Sequence, residues 1–173
     1  MINKPNRRNN SVVVVGGILG DEGKGRVTDE LVTHFLKKSK KAIVYRDNGG
    51  ANAGHTVQVG DKKISLHQLG SGILHNDCII ILGKDMVLHP EDLLSEIVAV
   101  ENLKESKVTD QLFLDEMVVL SLDTHRAFES VLKIYNGSGK GSTGRGISPA
   151  YADIIYRHPL RMRDLKKRNW KTC

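Results

Sequence analysis

Four successive valines closed by two glycines, Ser11 to Gly17, pass almost directly into Gly20-Asp21-Glu22-Gly23-Lys24-Gly25-Arg26 and then into an amphipathic stretch. A continuous β-branched run bounded by glycine predicts a strand buried on both faces. Val27, Leu31 and Leu36 then recur at helical spacing. Strand, glycine loop and helix in this order bring backbone N–H groups and the positive end of a helix dipole to one point, where glycines let the main chain close on an anion such as phosphate. Lys24 would add a point charge there. The spacing is not that of a standard phosphate loop: five residues rather than four separate Gly17 from the Gly23-Lys24 pair, and Gly25 stands where Ser or Thr would ligate magnesium. A generic P-loop phosphotransferase is therefore disfavoured. The plain alternative is a glycine-rich turn that only joins two elements. Asp21 and Glu22 weigh against it, because carboxylates in an anion-attracting loop are unfavourable unless a cation binds or a proton must be removed there.

The rest of the chain repeats the alternation. Residues 41–47 and 78–83 read as buried strands, and 57–69 as a hairpin turning near Gly60 and Asp61. Pro90 suits the first position of a helix, with Glu91 and Asp92 in its first turn and Leu93, Leu94, Ile97 and Val98 as its apolar face. Residues 111–115 and 117–122 read as strands, and 125–135 as a helix that ends before the glycine-rich 137–146. Strands alternating with helices predict an α/β fold with a mainly parallel β-sheet and flanking helices. One domain over 11–173, behind a disordered tail at 1–10, is the simplest division.

An apolar share of 39% supports a buried core. No apolar run approaches the roughly 20 residues that cross a bilayer, so no membrane partner is expected. The formal charge of +6 comes from residues 157–173, where seven Lys or Arg meet one Asp; residues 1–156 are balanced. A basic terminal run without interleaved aromatics reads as a solvated or packing face, and no nucleic acid is expected. Cys78 and Cys173 form no disulfide or metal framework, which fits a reducing cytoplasmic setting.

The segment GDEGKG after a valine strand resembles the signature of adenylosuccinate synthetases. NGGANAGHT (48–56), LHQLGSGIL (66–74), ILGKDMVLHP (81–90), GSTGRGISPAY (141–151) and RHPLRMRDL (157–165) resemble that family's segments in the same order. The resemblance implies a purine ligase of purine biosynthesis: a nucleoside triphosphate phosphorylates the 6-oxygen of inosinate (IMP), and L-aspartate then displaces the phosphate. It implies that Asp21 is the base at N1 of the purine and a Mg2+ ligand, and that His55 is the acid beside the leaving diphosphate. The Gly54 carbonyl would also ligate Mg2+. Gly20, Glu22, Gly23, Lys24, Gly25, Gly54, His55 and Thr56 would line the triphosphate site, Lys24 holding the transferred phosphate. Asp21, Asn52, Ala53 and Thr143 would contact the purine monophosphate, joined by Arg157 from the neighbouring subunit of a homodimer. Gly144 and Arg145 lie in a loop similar to one that closes over the site. The remaining histidines, His34, His67, His75, His89, His125 and His158, read as ordinary core or surface residues.

Two substitutions depart from the family pattern: Ile18-Leu19 stands in place of Gln-Trp, and Ala51 in place of His. Ala51 resembles shorter, divergent relatives, among them bacteriophage enzymes that take (d)GMP to a 2-aminoadenylosuccinate, so IMP and (d)GMP both stand as acceptors, and GTP, ATP or dATP as donor. The chain corresponds to an N-terminal half of the family domain, and segments expected to hold aspartate and to read guanine do not appear. It is therefore expected to be inactive alone and to need a separate C-terminal half. The other reading is a non-catalytic nucleotide-binding or dimerisation fragment.

Overall fold

The computed structural model describes residues 11–17, 20, 22–59, 62–104, 106–135 and 143–166; the tail expected at 1–10 lies outside them. In chain order the elements are α1 (Lys24–Leu36), β1 (Ala42–Arg46), β2 (His55–Val59), β3 (Lys62–Leu66), β4 (Cys78–Leu82), β5 (Val87–Leu88), α2 (Pro90–Lys104), β6 (Leu112–Leu114), β7 (Val119–Leu120), α3 (Asp123–Tyr135), α4 (Ile147–Ile155) and a 3-10 turn, Met162–Lys166. The expected α/β architecture is present. β1, β4 and β6 form a parallel sheet with β4 central, Ala42 opposite Cys78 and Ile80 opposite Leu112. β5 and β7 form a second, two-stranded parallel sheet. β2 and β3 make the expected antiparallel hairpin, His55 opposite Leu66; its turn residues Gly60 and Asp61 lie outside the described residues.

The core follows from the pleat. Ile80 and Leu82 of β4 point to one face, where they meet Val32 of α1, Val100 of α2, and Leu66, Leu69, Ile73 and Leu88, all in one buried cluster. A smaller cluster of Ala51, Val87, Val119, Ile147 and Ala150 lies under α4. Among the described residues, the opposite face of the three-stranded sheet is largely uncovered. Ile43 opposes Ile79 and Tyr45 opposes Ile81 beside Phe113; Ile43, Tyr45 and Phe113 are more than half exposed.

The uncovered face bears on the largest departure from expectation. Residues 11–17 form no strand, and Val13 and Val15 are 85% and 78% exposed. β-branched residues favour extended backbone, but a strand exists only through ladder partners and a covered face. Neither is supplied to 11–17 among the described residues. Among the described residues, the glycine loop thus follows a segment that joins no sheet.

Three smaller differences are local. The run 117–122 forms a strand only at Val119–Leu120, although the Ser121 N–H still bonds the Leu88 carbonyl of β5. α2 buries Leu93, Glu96 and Val100, with Ile97 packed behind them, and leaves Leu94 and Val98 exposed. Its face is rotated because the Glu96 carboxylate is drawn inward by three backbone N–H groups. α4 is an addition to the expected elements. Gly146, at φ 73°, precedes it and Pro149 fits its first turn, a signal present in the sequence.

Candidate functional site

Three loops carry the residues singled out in the sequence. The first is the glycine loop. Gly20 and Gly23 have φ of 116° and 78°, conformations that favour glycine, and Gly23 caps α1 without any side-chain hydrogen bond. No acidic residue occupies the first turn of α1, and among the described residues no side chain caps its N-terminal amides, the end that favours an anion. Lys24 sits at this first turn. Its ammonium pairs with Glu22 Oε2 at 2.5 Å, while Glu22 Oε1 accepts the Gly20 N–H at 2.9 Å. A Cβ on Gly16 would stand 2.6 Å from Lys24 Nζ, so the glycine makes room for the lysine to fold back over the chain. Lys24 is nearly half exposed, and an ion pair so placed is weak enough for an anion to displace. Asp21 lies outside the described residues.

The second loop, 48–56, is held from every side. Val87 N–H donates to the Gly49 carbonyl at 2.9 Å, and Gly50 bridges to Val87 as a parallel extension of β5. A Cβ at Gly50 would lie 2.3 Å from the Val87 oxygen and 2.7 Å from Ile147 Cδ1. Tyr151 of α4 accepts from Gly49 N–H at 3.2 Å and donates to the Asp85 carbonyl at 2.8 Å. Burial, first among its influences, raises the Tyr151 phenol above its ordinary value, so it stays a donor. Asn52 Oδ1 accepts the Gly50 N–H at 3.0 Å, which leaves its amide nitrogen as the group it can offer a ligand. Ala53 N–H closes a turn on the Gly50 carbonyl, and Gly54 is exposed beside the His67 ring. His55 opens β2 and pairs through its backbone with Leu66; its side chain lies outside the described residues, and Thr56 is exposed.

The third loop leads into α4. Thr143 is exposed, and Gly144 has φ 71°. Arg145 is tethered: Nη1 bonds Asp92 Oδ2 at 3.2 Å, and its carbonyl accepts from Ser121 Oγ at 3.2 Å. Gly146 N–H donates to Glu129 at 2.5 Å, and a Cβ there would meet Ser121 and His125 at 2.9 Å. Asp92 also pairs with Arg126. Burial works against the ionised Asp92 carboxyl, but the hydrogen bond and charge of Arg126, with His89 and Arg145, outweigh it and hold Asp92 below the usual carboxylate range.

The second and third loops are brought together, through Tyr151 on Gly49 and Ile147 on Gly50. Arg157 is not part of that group. It is exposed at the far end of α4, a helix about 13 Å long by its nine residues, in a left-handed conformation with φ 66°. Reading the sequence missed Arg46, Glu96 and Tyr151, and placed His67, His89 and His125 among ordinary residues. Arg46 had one visible signal: a cation closing a strand otherwise made of apolar residues and one tyrosine. Among the described residues no group of three or more His, Cys, Asp or Glu is placed to hold a metal, and no helix is long and apolar enough to cross a membrane.

The adenylosuccinate synthetase family model matches residues 13–172, nearly the whole chain and all three loops. The chain belongs to the adenylosuccinate synthetase family. It is 42% identical to the adenylosuccinate synthetase of Polynucleobacter asymbioticus over 166 residues, covering 95% of this chain and 36% of that protein. The Synechococcus elongatus synthetase is 42% identical over 156 residues, 90% of this chain and 33% of the relative. The fully ligated adenylosuccinate synthetase structure from Plasmodium falciparum aligns with a TM-score of 0.74 at 38% identity, over 86% of this chain and 33% of that one. The cyanophage S-2L succinoaminodeoxyadenylate synthetase shares the fold, with a TM-score of 0.64 at 23% identity over 88% of this chain and 41% of that chain. The chain spans about a third of the length of the curated relatives it matches, a smaller share than the half its motifs implied.

Proposed function

We propose that this chain supplies the phosphoryl-transfer side of an adenylosuccinate synthetase reaction. The observation that carries the reading is the N-terminus of α1 behind Gly20 and Gly23, which no side chain caps among the described residues, with Lys24 in its first turn held only by a half-exposed pair with Glu22 that a phosphate can displace. Asp21 takes the N1 proton of IMP, and electron density moves to the 6-oxygen. That oxygen bonds to the γ-phosphorus of GTP as the bridge to the β-phosphate breaks. Lys24 and the α1 amides hold the transferring phosphoryl oxygens, and His55 neutralises the leaving diphosphate. The amine of aspartate then displaces phosphate from the purine.

Mg2+ suits the donors assigned to it. The Asp21 carboxylate and the carbonyl of the exposed Gly54 are hard oxygens, too few to cage an ion, and such sites take Mg2+ together with substrate phosphates. When bound it supplies positive charge to the phosphate oxygens. Asn52, Ala53 and Thr143 read the purine monophosphate. Arg157 contributes to a second copy of the site across a homodimer, a reading supported by exposed Ile155 and Tyr156 beside it and by exposed Phe128, Val131 and Leu132 on α3, which packs on α4. The uncovered sheet face supports a need for further polypeptide.

The test joins the chain to the complementary segment of a family relative and follows succinylated product from IMP, GMP or dGMP with aspartate and GTP or ATP. The acceptor that reacts fixes the substrate, and GMP or dGMP turnover alone would establish the guanylate reading. Asp21→Asn is expected to abolish product; normal turnover in that variant removes the role given to Asp21. Nucleotide binding without turnover in any joined form would leave only a binding module.

A further inference from the structure

We propose that Arg46, Glu96 and His67 form a positioning clamp that sets the 50–54 loop, an assignment that rests on the function proposed above. The clamp works through one short stretch of main chain, 67–69. On one side the buried Glu96 carboxylate accepts three successive amides: His67 N–H at 3.1 Å and Gln68 N–H at 3.0 Å on Oε1, and Leu69 N–H at 3.0 Å on Oε2. Such convergent amides make an anion-binding hollow, and here the anion is a side chain of α2. On the other side Arg46 Nη1 donates to the carbonyls of His67 at 2.8 Å and Gln68 at 3.1 Å. Arg46 and Glu96 are thus opposed charges joined through the peptide groups between them. Burial pushes the Arg46 guanidinium below its ordinary value and Glu96 opposes that shift.

The clamp reaches the loop at two points. Arg46 Nη2 donates to the Gly50 carbonyl at 3.0 Å, and the His67 ring bonds the Ala53 carbonyl through Nδ1 at 2.6 Å. A carbonyl only accepts, so Nδ1 carries the proton and the ring tautomer is fixed. The same ring lies 3.5 Å from where a Cβ on Gly54 would stand. Gln68 completes the anchorage, its side-chain oxygen accepting His89 N–H at 2.7 Å and its amide donating to the His89 carbonyl at 3.1 Å. No ligand contact is needed for the three residues to matter: displacement of a binding loop by about 1 Å costs up to a hundredfold in function.

The test uses the full chain, labelled with 15N. Long-range nitrogen correlations on His67 should show Nδ1 protonated, and the amides of 67–69 should exchange slowly with solvent. Glu96→Gln should speed that exchange. His67→Ala should shift the Ala53 and Gly54 resonances and weaken IMP binding in calorimetry about tenfold or more, with His67→Gln, whose amide can donate to the same carbonyl, recovering to within about threefold. An Nε2-protonated ring, unchanged 67–69 exchange in Glu96→Gln, or a His67→Ala chain with unmoved loop resonances overturns the clamp. A wild-type chain that binds none of IMP, GMP and dGMP refutes the proposed purine site instead, and the tautomer, exchange and resonance measurements then decide the clamp by themselves.

Discussion

Replacing Gly50 by alanine is the sharpest single perturbation of the loop scaffold. The added methyl would lie 2.7 Å from Ile147 Cδ1, which can rotate away, but also 2.3 Å from the Val87 carbonyl oxygen, a backbone atom of a strand held to β7 through the Met86 and Leu88 carbonyls on either side. Separation to ordinary contact moves the 49–50 backbone by more than an ångström. That motion loosens the Val87 N–H bond to Gly49 and the Arg46 bond to Gly50. Overpacking of this kind costs about 1–3 kcal/mol, and each loosened hydrogen bond about 1 kcal/mol. A total of about 3–5 kcal/mol predicts a fall in Tm of about 6–20 °C for a chain of this size, read by far-ultraviolet circular dichroism. Gly17→Ala is the control: among the described residues nothing lies within 4 Å of its Cβ position, so its melting point should stay within about 2 °C of wild type. If Gly50→Ala melts with Gly17→Ala, the close approach of the loop to β5 is not what secures it.

Lys24→Met should weaken Mg·GTP binding about tenfold or more in calorimetry, yet shift stability by less than about 1 kcal/mol, because its ion pair with Glu22 is exposed. Cys78 is buried, and burial pushes its thiol from 9.0 to about 11. In a Cys173→Ser background it should resist a thiolate-trapping reagent at pH 8 until the chain is unfolded. The folded value is the raised one, so the unfolded state loses its proton first. Stability from this group is intact below pH 9 and is lost as pH rises from 9 toward 11, a loss that Cys78→Ala should remove from a urea titration.

Much of the fold was legible because it is written in short-range chemistry. The β-branched runs at 42–46 and 78–82 became parallel strands, and Pro90 with Glu91 and Asp92 opened α2 where expected. The misses came from partners that sequence spacing does not show. Val12 to Val15 have strand composition, but among the described residues no strand pairs with them. Glu96 stands in a helix pattern as one more surface charge, and its burial follows only from amides of 67–69, nearly thirty residues away. The loops were legible as motifs, whereas their anchors were not. His67, Arg46, Asp92 and Tyr151 act through backbone groups and distant side chains rather than through a pattern of their own.

The hydroxyl of Tyr151 joins Gly49 to the Asp85 carbonyl across sequence separations of 102 and 66 residues. On a ribosome adding about 5–20 residues per second, the NGGANAG segment therefore waits roughly 5–20 s for the group that locks it. During that interval the Gly49 amide is open to water and to any anion in reach, while the Gly50 and Ala53 amides already have partners within the segment. Loop 48–56 is made about 100 residues before Tyr151 can secure its Gly49 amide, so on the proposed function a nucleotide present during synthesis would act on it as a folding template.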